Sequence, residues 1–449
     1  MDDADLAERQ IERITSLVHR QDHQREAFGK FVKGLRKNIN PSITEESAIE
    51  MLAQHIITKP IFEALFEDYS FEQNNVVSRA MHEMLSQLEG KTVAEESETL
   101  QRFYDSVRAR VQGIDNAEGK QKVINELYDT FFKTAFPKMA DQLGIVYTPI
   151  EVVDFIIHSL DAVLKKEFGR SLSDENVHIL DPFVGTGTFI TRLLQSGLIR
   201  KEDLERKYQY ELHANEIVLL AYYIAAVNIE NVFHDRLGEG SEYKPFEGIV
   251  LTDTFQLGET DGALLTEALR LNSERVERQK KTPLTVIMAN PPYSAGQTSA
   301  NDDAANQKYT RLDARIAETY AKETDAVNKN SLYDSYIRAF RWSTDRLDPE
   351  HGGVIAFVSN GMWLDSNSAD GFRKTIEREF SGIWVFNLRG NARTQGELRR
   401  KEAGNVFGEG TRTPVAITLL VKKPKTKSEK AKVYYHDIGY YLSREENWP

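Results

Sequence analysis

Over residues 5–142 the apolar positions recur at helical spacing. Leu6, Ile14, Leu17 and Val18 fall close to the i, i+3, i+4 rhythm, as do Met51, Ile56, Ile57, Ile61 and Leu65, so this stretch reads as helical. Ser42 and Thr44, just ahead of Glu45 and Glu46, mark a helix start. Beyond residue 145 the pattern changes to short, largely apolar runs at 177–180, 248–252, 284–289, 354–358, 383–388 and 415–421, with 208–212 as a further strand candidate. Runs this short, apolar without alternation, are what strands covered on both faces require. Helical stretches separate them, which predicts an α/β fold: a largely parallel sheet with helices on both faces, preceded by an all-helical region. The expected domains are a helical connecting domain at 1–144, the α/β domain at 145–425 and a lysine-rich linker, or the start of a further domain, at 426–449. The long polar interval 294–330 is expected to be a loop that orders on substrate binding.

Composition narrows the options. A chain of 449 residues has room for two to three domains with sizeable cores. Its longest apolar helical candidate, 218–227, is far too short to span a bilayer. Met1 is followed by acidic residues rather than by the basic and then apolar stretch of a signal peptide, so a cytoplasmic protein is expected. Cysteine is absent. Disulfides, thiolate zinc sites and cysteine-held iron–sulfur clusters are thereby excluded, as is the cysteine nucleophile that carbon methylation of cytosine requires. The net charge of −12 argues against a protein that coats nucleic acid nonspecifically. Any nucleic-acid contact has to come from a local basic face. One candidate follows the run 383–388, where Arg389, Arg393, Arg399, Arg400 and Lys401 cluster.

The candidate chemistry sits in the loops that leave the carboxyl ends of the predicted strands, where open α/β sheets bind their ligands. After the run 284–289 comes Asn290-Pro291-Pro292-Tyr293. Two prolines fix φ twice and remove two backbone donors, leaving a stiff bend with an amide, bare carbonyls and an aromatic ring. Those groups suit alkylation of an aromatic amine. Acceptors at Asn290 Oδ1 and the Pro291 carbonyl would hold its two N–H bonds and turn the lone pair outward, while Tyr293 stacks on a base flipped from its duplex. The first strand opens into Asp181-Pro182-Phe183-Val184-Gly185-Thr186-Gly187 and then a helix. The paired glycines let the backbone approach a ligand closely, and Asp181 can attract an ammonium or sulfonium. Glu216 follows the second strand, where an acid commonly meets ribose hydroxyls. Asp253 with Phe255 follows the third and can accept from an adenine amine while a ring packs its face. Tyr147-Thr148-Pro149 opens a helix whose N-terminus suits a carboxylate. Phe407, in a glycine-flanked loop, can supply a second ring against the base.

Two other motifs carry no chemistry. Gly90-Lys91-Thr92 lacks the earlier glycine of a phosphate loop, Leu85 standing in its place, and reads as a helix end. His19 and His23 share the i, i+4 spacing of zinc ligands, but Arg20 replaces the glutamate of a metalloprotease, and a solvated helix face is expected.

Taken together, from Tyr147 to about Lys422, these stretches resemble the gamma-class amino-methylating DNA methyltransferases. That group orders its motifs as Thr-Pro, D-P-x-x-G-x-G-x-F, two acidic positions and N-P-P-Y. The resemblance implies a Rossmann-like S-adenosylmethionine-dependent methyltransferase sheet acting on the N6 amine of adenine in double-stranded DNA. It implies that Tyr147, Thr148, Pro149, Asp181, Phe183, Gly185, Gly187, Glu216, Asp253 and Phe255 hold S-adenosylmethionine, and that Asn290, Pro291, Pro292, Tyr293 and Phe407 hold the target. More narrowly, residues 331–347, 387–391 and 407–421 are similar to the coupler and methyltransferase part of the Type ISP restriction-modification enzymes. By that likeness the chain is expected to work with helicase-nuclease and target recognition domains that it does not contain. Methylation of a protein glutamine or an RNA base, and a catalytically silent DNA-binding or coupling module, remain open at this point.

Overall fold

The computed structural model describes residues 3–65, 71–89, 105, 109, 119, 148–238, 242–259, 267–292, 308–402, 405–407, 412–424 and 430–440. The helical region holds α1 (Asp3–Val18), α2 (Asp22–Asn38), α3 (Glu45–Leu65) and α4 (Val76–Glu89). The α3 start lies where the sequence placed it, with Thr44 Oγ1 accepting from Ser47 N at 3.1 Å, one of the donors a helix start leaves open. His19 and His23 do not share a helix face, because α1 ends at Val18 and α2 begins at Asp22. Gly90, Lys91 and Thr92 lie outside the described residues.

The second region is an eight-stranded sheet in the order β3-β2-β1-β4-β5-β7-β6-β8. Its strands are β1 (Ile179–Asp181), β2 (Leu212–Glu216), β3 (Ile249–Leu251), β4 (Val286–Ala289), β5 (Gly353–Asn360), β6 (Gly382–Arg389), β7 (Val415–Lys422) and β8 (Lys432–Asp437). Strands β1 to β5 run parallel, and β7 is inserted antiparallel between β5 and β6. The order reverses between β1 and β4, the point where such sheets open a crevice for ligands.

Strand residues alternate between two apolar layers, as the two-residue period demands. Val286 and Met288 join the layer formed by α5 (Ile150–Phe168), α6 (Thr188–Gln195), α7 (Leu219–Leu237) and the helical region. Ile287 and Ala289 face the other layer, with α9 (Thr310–Ile316), α10 (Ser335–Arg346) and α11 (Asp370–Glu379). Helix α8 (Arg270–Lys281) borders β3 and buries Val276 in this second layer. Helix α7 lies between sheet and helical region and is buried on nearly every face. There the Tyr223 hydroxyl meets His55 Nδ1 at 3.1 Å, and its ring meets Phe62 and Phe71.

Three expectations are corrected. The run 208–212 is not a strand: Lys207–Glu211 forms a π-helical turn, and β2 starts only at Leu212. The fully buried Lys207 ammonium reaches the carbonyls of Asp174 and Val177 and the Glu211 carboxylate, while Tyr208 stacks flat on Phe233 at 3.5 Å between centroids. The interval 294–330 is not loop throughout, since α9 and the turn after it bury Leu312, Ile316 and Tyr320. The segment beyond Lys422, read as a linker, contributes β8, which pairs in parallel with β6.

Candidate active site

The carboxyl ends of β1, β2, β3 and β4 bring the acidic positions and the Asn-Pro-Pro bend to one edge of the sheet. Asp181 ends β1 and is fully buried. Its Oδ1 accepts from Phe183 N at 3.1 Å, but Oδ2 has no hydrogen-bond partner. Burial pushes this carboxyl up to about 8, with Glu216 nearby adding to the rise.

The loop after β1 leans over the end of β2. Val184 N donates to the Asn215 carbonyl at 3.0 Å and Gly185 N to Glu216 Oε2 at 2.9 Å. Glu216 Oε1 accepts from Ile217 N and Val218 N, both at 2.9 Å. Burial still raises this acid to about 7 against those three donors. Thr254 Oγ1 ties the loop to the β3 end through the Pro182 carbonyl at 2.5 Å.

The two glycines have separate tasks. Both are left-handed, at φ +54° for Gly185 and +93° for Gly187, where other residues are strained. A Cβ on Gly187 would come within 3.3 Å of the Ala225 backbone, so this glycine lets α6 approach α7. A Cβ on Gly185 would meet nothing within 4 Å, so it borders open space. An orphaned buried carboxyl oxygen beside a glycine edge open to a ligand fits S-adenosylmethionine, whose α-ammonium and sulfonium are cationic.

Asp253 follows β3 and is engaged on both oxygens. Oδ1 accepts from Phe255 N at 2.9 Å, and Oδ2 from Tyr309 OH at 2.8 Å and Asn40 Nδ2 at 2.7 Å. Burial raises its pKa against those donors. Phe255 touches Phe183 at 5.4 Å and Tyr309 at 5.2 Å between centroids, completing an aromatic wall. Neither Asn40 nor Tyr309 was visible as a site residue in the sequence, because no motif contains them.

Asn290 follows β4 directly and is half-buried; Pro291 is buried and Pro292 exposed. The Asn290 Nδ2 donates to Thr148 Oγ1 at 3.0 Å across 142 residues of chain. Two motifs read separately in the sequence thus meet, Thr148 and Pro149 standing just ahead of α5. Losing this bond is worth about 1.4 kcal/mol, so Thr148→Val is expected to slow methyl transfer about tenfold at saturating cofactor. Single-turnover transfer of a labelled methyl group checks this. Tyr147 and Tyr293 lie outside the described residues.

Phe407 is half-buried and packs against the apolar layer on the α5 side. Its loop is braced by Asn405, which donates to the carbonyls of Gly390 and Thr413 and accepts from Phe407 N.

In the basic segment, Arg389 pairs with Asp437 at 2.6 Å and Glu402 at 3.2 Å and lies 3.7 Å over the Tyr440 ring. Its charge therefore braces the β6–β8 corner. Arg393 and Arg400 are exposed. Lys401 is half-buried with Glu397 at 3.4 Å, and Arg399 belongs to the same short helix, Gly396–Lys401. Among the described residues no three potential ligands cluster for a metal ion, and no helix is long and apolar enough to cross a membrane.

Residues 1–119 match the family described as the coupler domain of Type ISP restriction-modification enzymes, and residues 119–327 match N-6 DNA Methylase. Solved structures agree. A nuclease-deletion mutant of the Type ISP restriction-modification enzyme LlaGI, in complex with a DNA substrate mimic, is 52% identical over 99% of this chain and 36% of its own, with a TM-score of 0.92. The ATP-dependent Type ISP restriction-modification enzyme LlaBIII, bound to DNA, is 49% identical over 99% of this chain and 30% of its own, at 0.91. A DrdV–DNA complex is 36% identical over 99% of this chain and 42% of its own, at 0.88. The chain thus spans less than half the length of each of these relatives. No curated protein sequence matches it. With a Type ISP coupler domain followed by an N-6 DNA methylase domain, the chain belongs to the Type ISP restriction-modification family as its coupler-plus-methyltransferase part.

Proposed function

We propose that this chain transfers a methyl group from S-adenosylmethionine to the N6 amine of an adenine in duplex DNA, as the modification part of a cytoplasmic restriction-modification enzyme. The observation that carries this is the Asn290 amide at the β4 end, oriented by Thr148 across the crevice from the loop of Asp181 and Gly185. The bound cofactor supplies an electrophilic methyl group on a sulfonium. Asp181 and the N-terminal turn of α5 hold its amino-acid end, Glu216 its ribose, and Asp253 with Phe183 and Phe255 its adenine. Asn290 Oδ1 and the Pro291 carbonyl accept the two N–H bonds of the target amine, which turns its lone pair toward the crevice. Tyr293 and Phe407 clasp the flipped base, which the protein has to extract from its stack. Catalysis then comes from alignment and fixed dipoles. The exposed Arg393 and Arg400 lie against phosphates, and helicase-nuclease and target recognition domains complete the working enzyme.

The test is transfer of a labelled methyl group to unmethylated genomic DNA, followed by digestion to nucleosides. Label in N6-methyladenine is the expected result. Label on cytosine or on protein, or DNA binding without cofactor binding, would overturn the reading.

A further inference from the structure

The helical region does more than pack against the methyltransferase sheet. Three consecutive residues at the end of α2, Asn38, Ile39 and Asn40, close the end of β3. The Asn38 carbonyl accepts from Thr252 Oγ1 at 3.1 Å, the Ile39 carbonyl from Asp253 N at 3.4 Å, and Asn40 Nδ2 donates to Asp253 Oδ2 at 2.7 Å. Asn40 is itself held, since its Oδ1 accepts from Ser42 N at 2.8 Å and Ser42 Oγ at 2.7 Å. All three residues are buried, as are Thr252 and Asp253. The same Asp253 oxygen takes the hydroxyl of Tyr309, the residue just ahead of α9. One carboxylate therefore joins the helical region, the cofactor wall and the start of α9.

We infer that Asn40 is a positioning residue for cofactor binding, so that the helical region sets the affinity of the methyltransferase for S-adenosylmethionine through Asp253. The inference rests on the proposed role of Asp253 at the cofactor adenine. An amide at position 40 donates to the carboxylate without adding charge and fixes its rotamer. Coupling is reciprocal, so a bound cofactor also holds the end of α2 in place. Any movement of the helical region that withdraws Asn40 loosens the cofactor and the Tyr309 anchor together.

The test is isothermal titration of the full chain with S-adenosylmethionine between pH 6 and pH 9, with melting curves to verify folding. Asn40→Ala is expected to weaken binding about tenfold at every pH. Asn40→Asp sets two carboxyls face to face. A shared proton preserves the contact at low pH, so its affinity relative to wild type falls as pH rises and the pair becomes doubly charged. The groups facing this pair are the Tyr309 phenol, raised by burial and by Asp253, and behind it Arg338 with its partner Asp313. Ser42→Ala, a milder change, is expected to shift affinity in the same direction by about twofold, as loss of one of two donors implies. Folded variants that bind as wild type does at every pH would overturn the inference and leave the functional reading standing. Wild-type protein that binds no cofactor would overturn both.

Discussion

Asn290→Ala is expected to lower the rate of methyl transfer by about 10²–10³-fold, the range found when one preorganised polar contact to a reacting group is removed. Cofactor affinity should change much less, because Asn290 Oδ1 is assigned to the target amine whereas the orphaned Asp181 oxygen and the Gly185 edge are assigned to the cofactor. The reason is electronic as well as geometric. An exocyclic amine conjugated with a purine keeps its lone pair in the ring unless its N–H bonds are held out of that plane. Alanine leaves only the Pro291 carbonyl to do so. Asn290→Asp sharpens the test. A carboxylate accepts the amine proton, and Thr148 can reverse its hydroxyl to donate, so the contact between the two motifs survives. Its charge, however, sits beside a pocket already holding Asp181 and Glu216. An intermediate loss is therefore expected, larger than that of Thr148→Val and smaller than that of the alanine variant. Single-turnover transfer, with cofactor binding measured separately, ranks the three. An alanine variant that transfers at the wild-type rate would remove Asn290 from catalysis.

The sheet was legible in the sequence wherever its strands are buried on both faces. Apolar runs of four to eight residues between turn residues have few alternatives, and β1, β3, β4, β5, β6 and β7 lie on or within about two residues of the predicted runs. The prediction went astray where side chains met partners far away in sequence. Residues 208–211 read as strand because nothing local shows that Lys207 will be buried against the carbonyls of Asp174 and Val177. Strand β8 contains Lys432 and is largely exposed. Its run Val433-Tyr434-Tyr435 is short and follows a lysine-rich stretch, so it reads as part of the linker although Tyr434 stacks on Trp384 of β6. The site divides in the same way. Asp181, Asp253 and Asn290 could be placed because each ends or follows a readable strand, and Glu216 because it stands just ahead of a long apolar helix even though the strand before it begins later than the sequence suggests. Asn40 reaches Asp253 across 213 residues and Tyr309 reaches it across 56, and one sequence carries no trace of either meeting. Arg389 shows the converse limit. A cluster of arginines reads as a surface for phosphates until Asp437 and Glu402 are found beside one of them.

Affinity for S-adenosylmethionine is expected to rise with pH to a maximum near pH 8, and Asp181 is the reason. Its Oδ2 is buried without a partner, and burial holds its pKa at about 8, with Glu216 at about 7. Near neutrality the unliganded site therefore keeps protons that a cationic ligand must displace. Each proton released improves the dissociation constant by up to about tenfold per pH unit. Above about pH 8 the α-amino group of the ligand begins to lose its own charge, which ends the rise. The same acids act on stability with a definite sign. Their folded pKa values lie above the unfolded ones, near ~4. The folded state thus binds more protons between about pH 4 and pH 8, and the contribution of both groups to stability falls as pH rises through that window. Protection against heat by the cofactor should grow over the same interval. Asp181→Asn separates the charge from the shape. The amide oxygen can still accept from Phe183 N, so the loop keeps its fold, but nothing titrates and no anion meets the ammonium. A loss of affinity of about 100-fold is expected for removing one partner of a buried charge pair, together with loss of the pH slope attributed to this residue. Titrations at pH 6, 7 and 8, in buffers of different ionisation enthalpy, report affinity and proton release together. An Asp181→Asn protein with wild-type affinity and an unchanged slope would place the cationic end of the cofactor elsewhere.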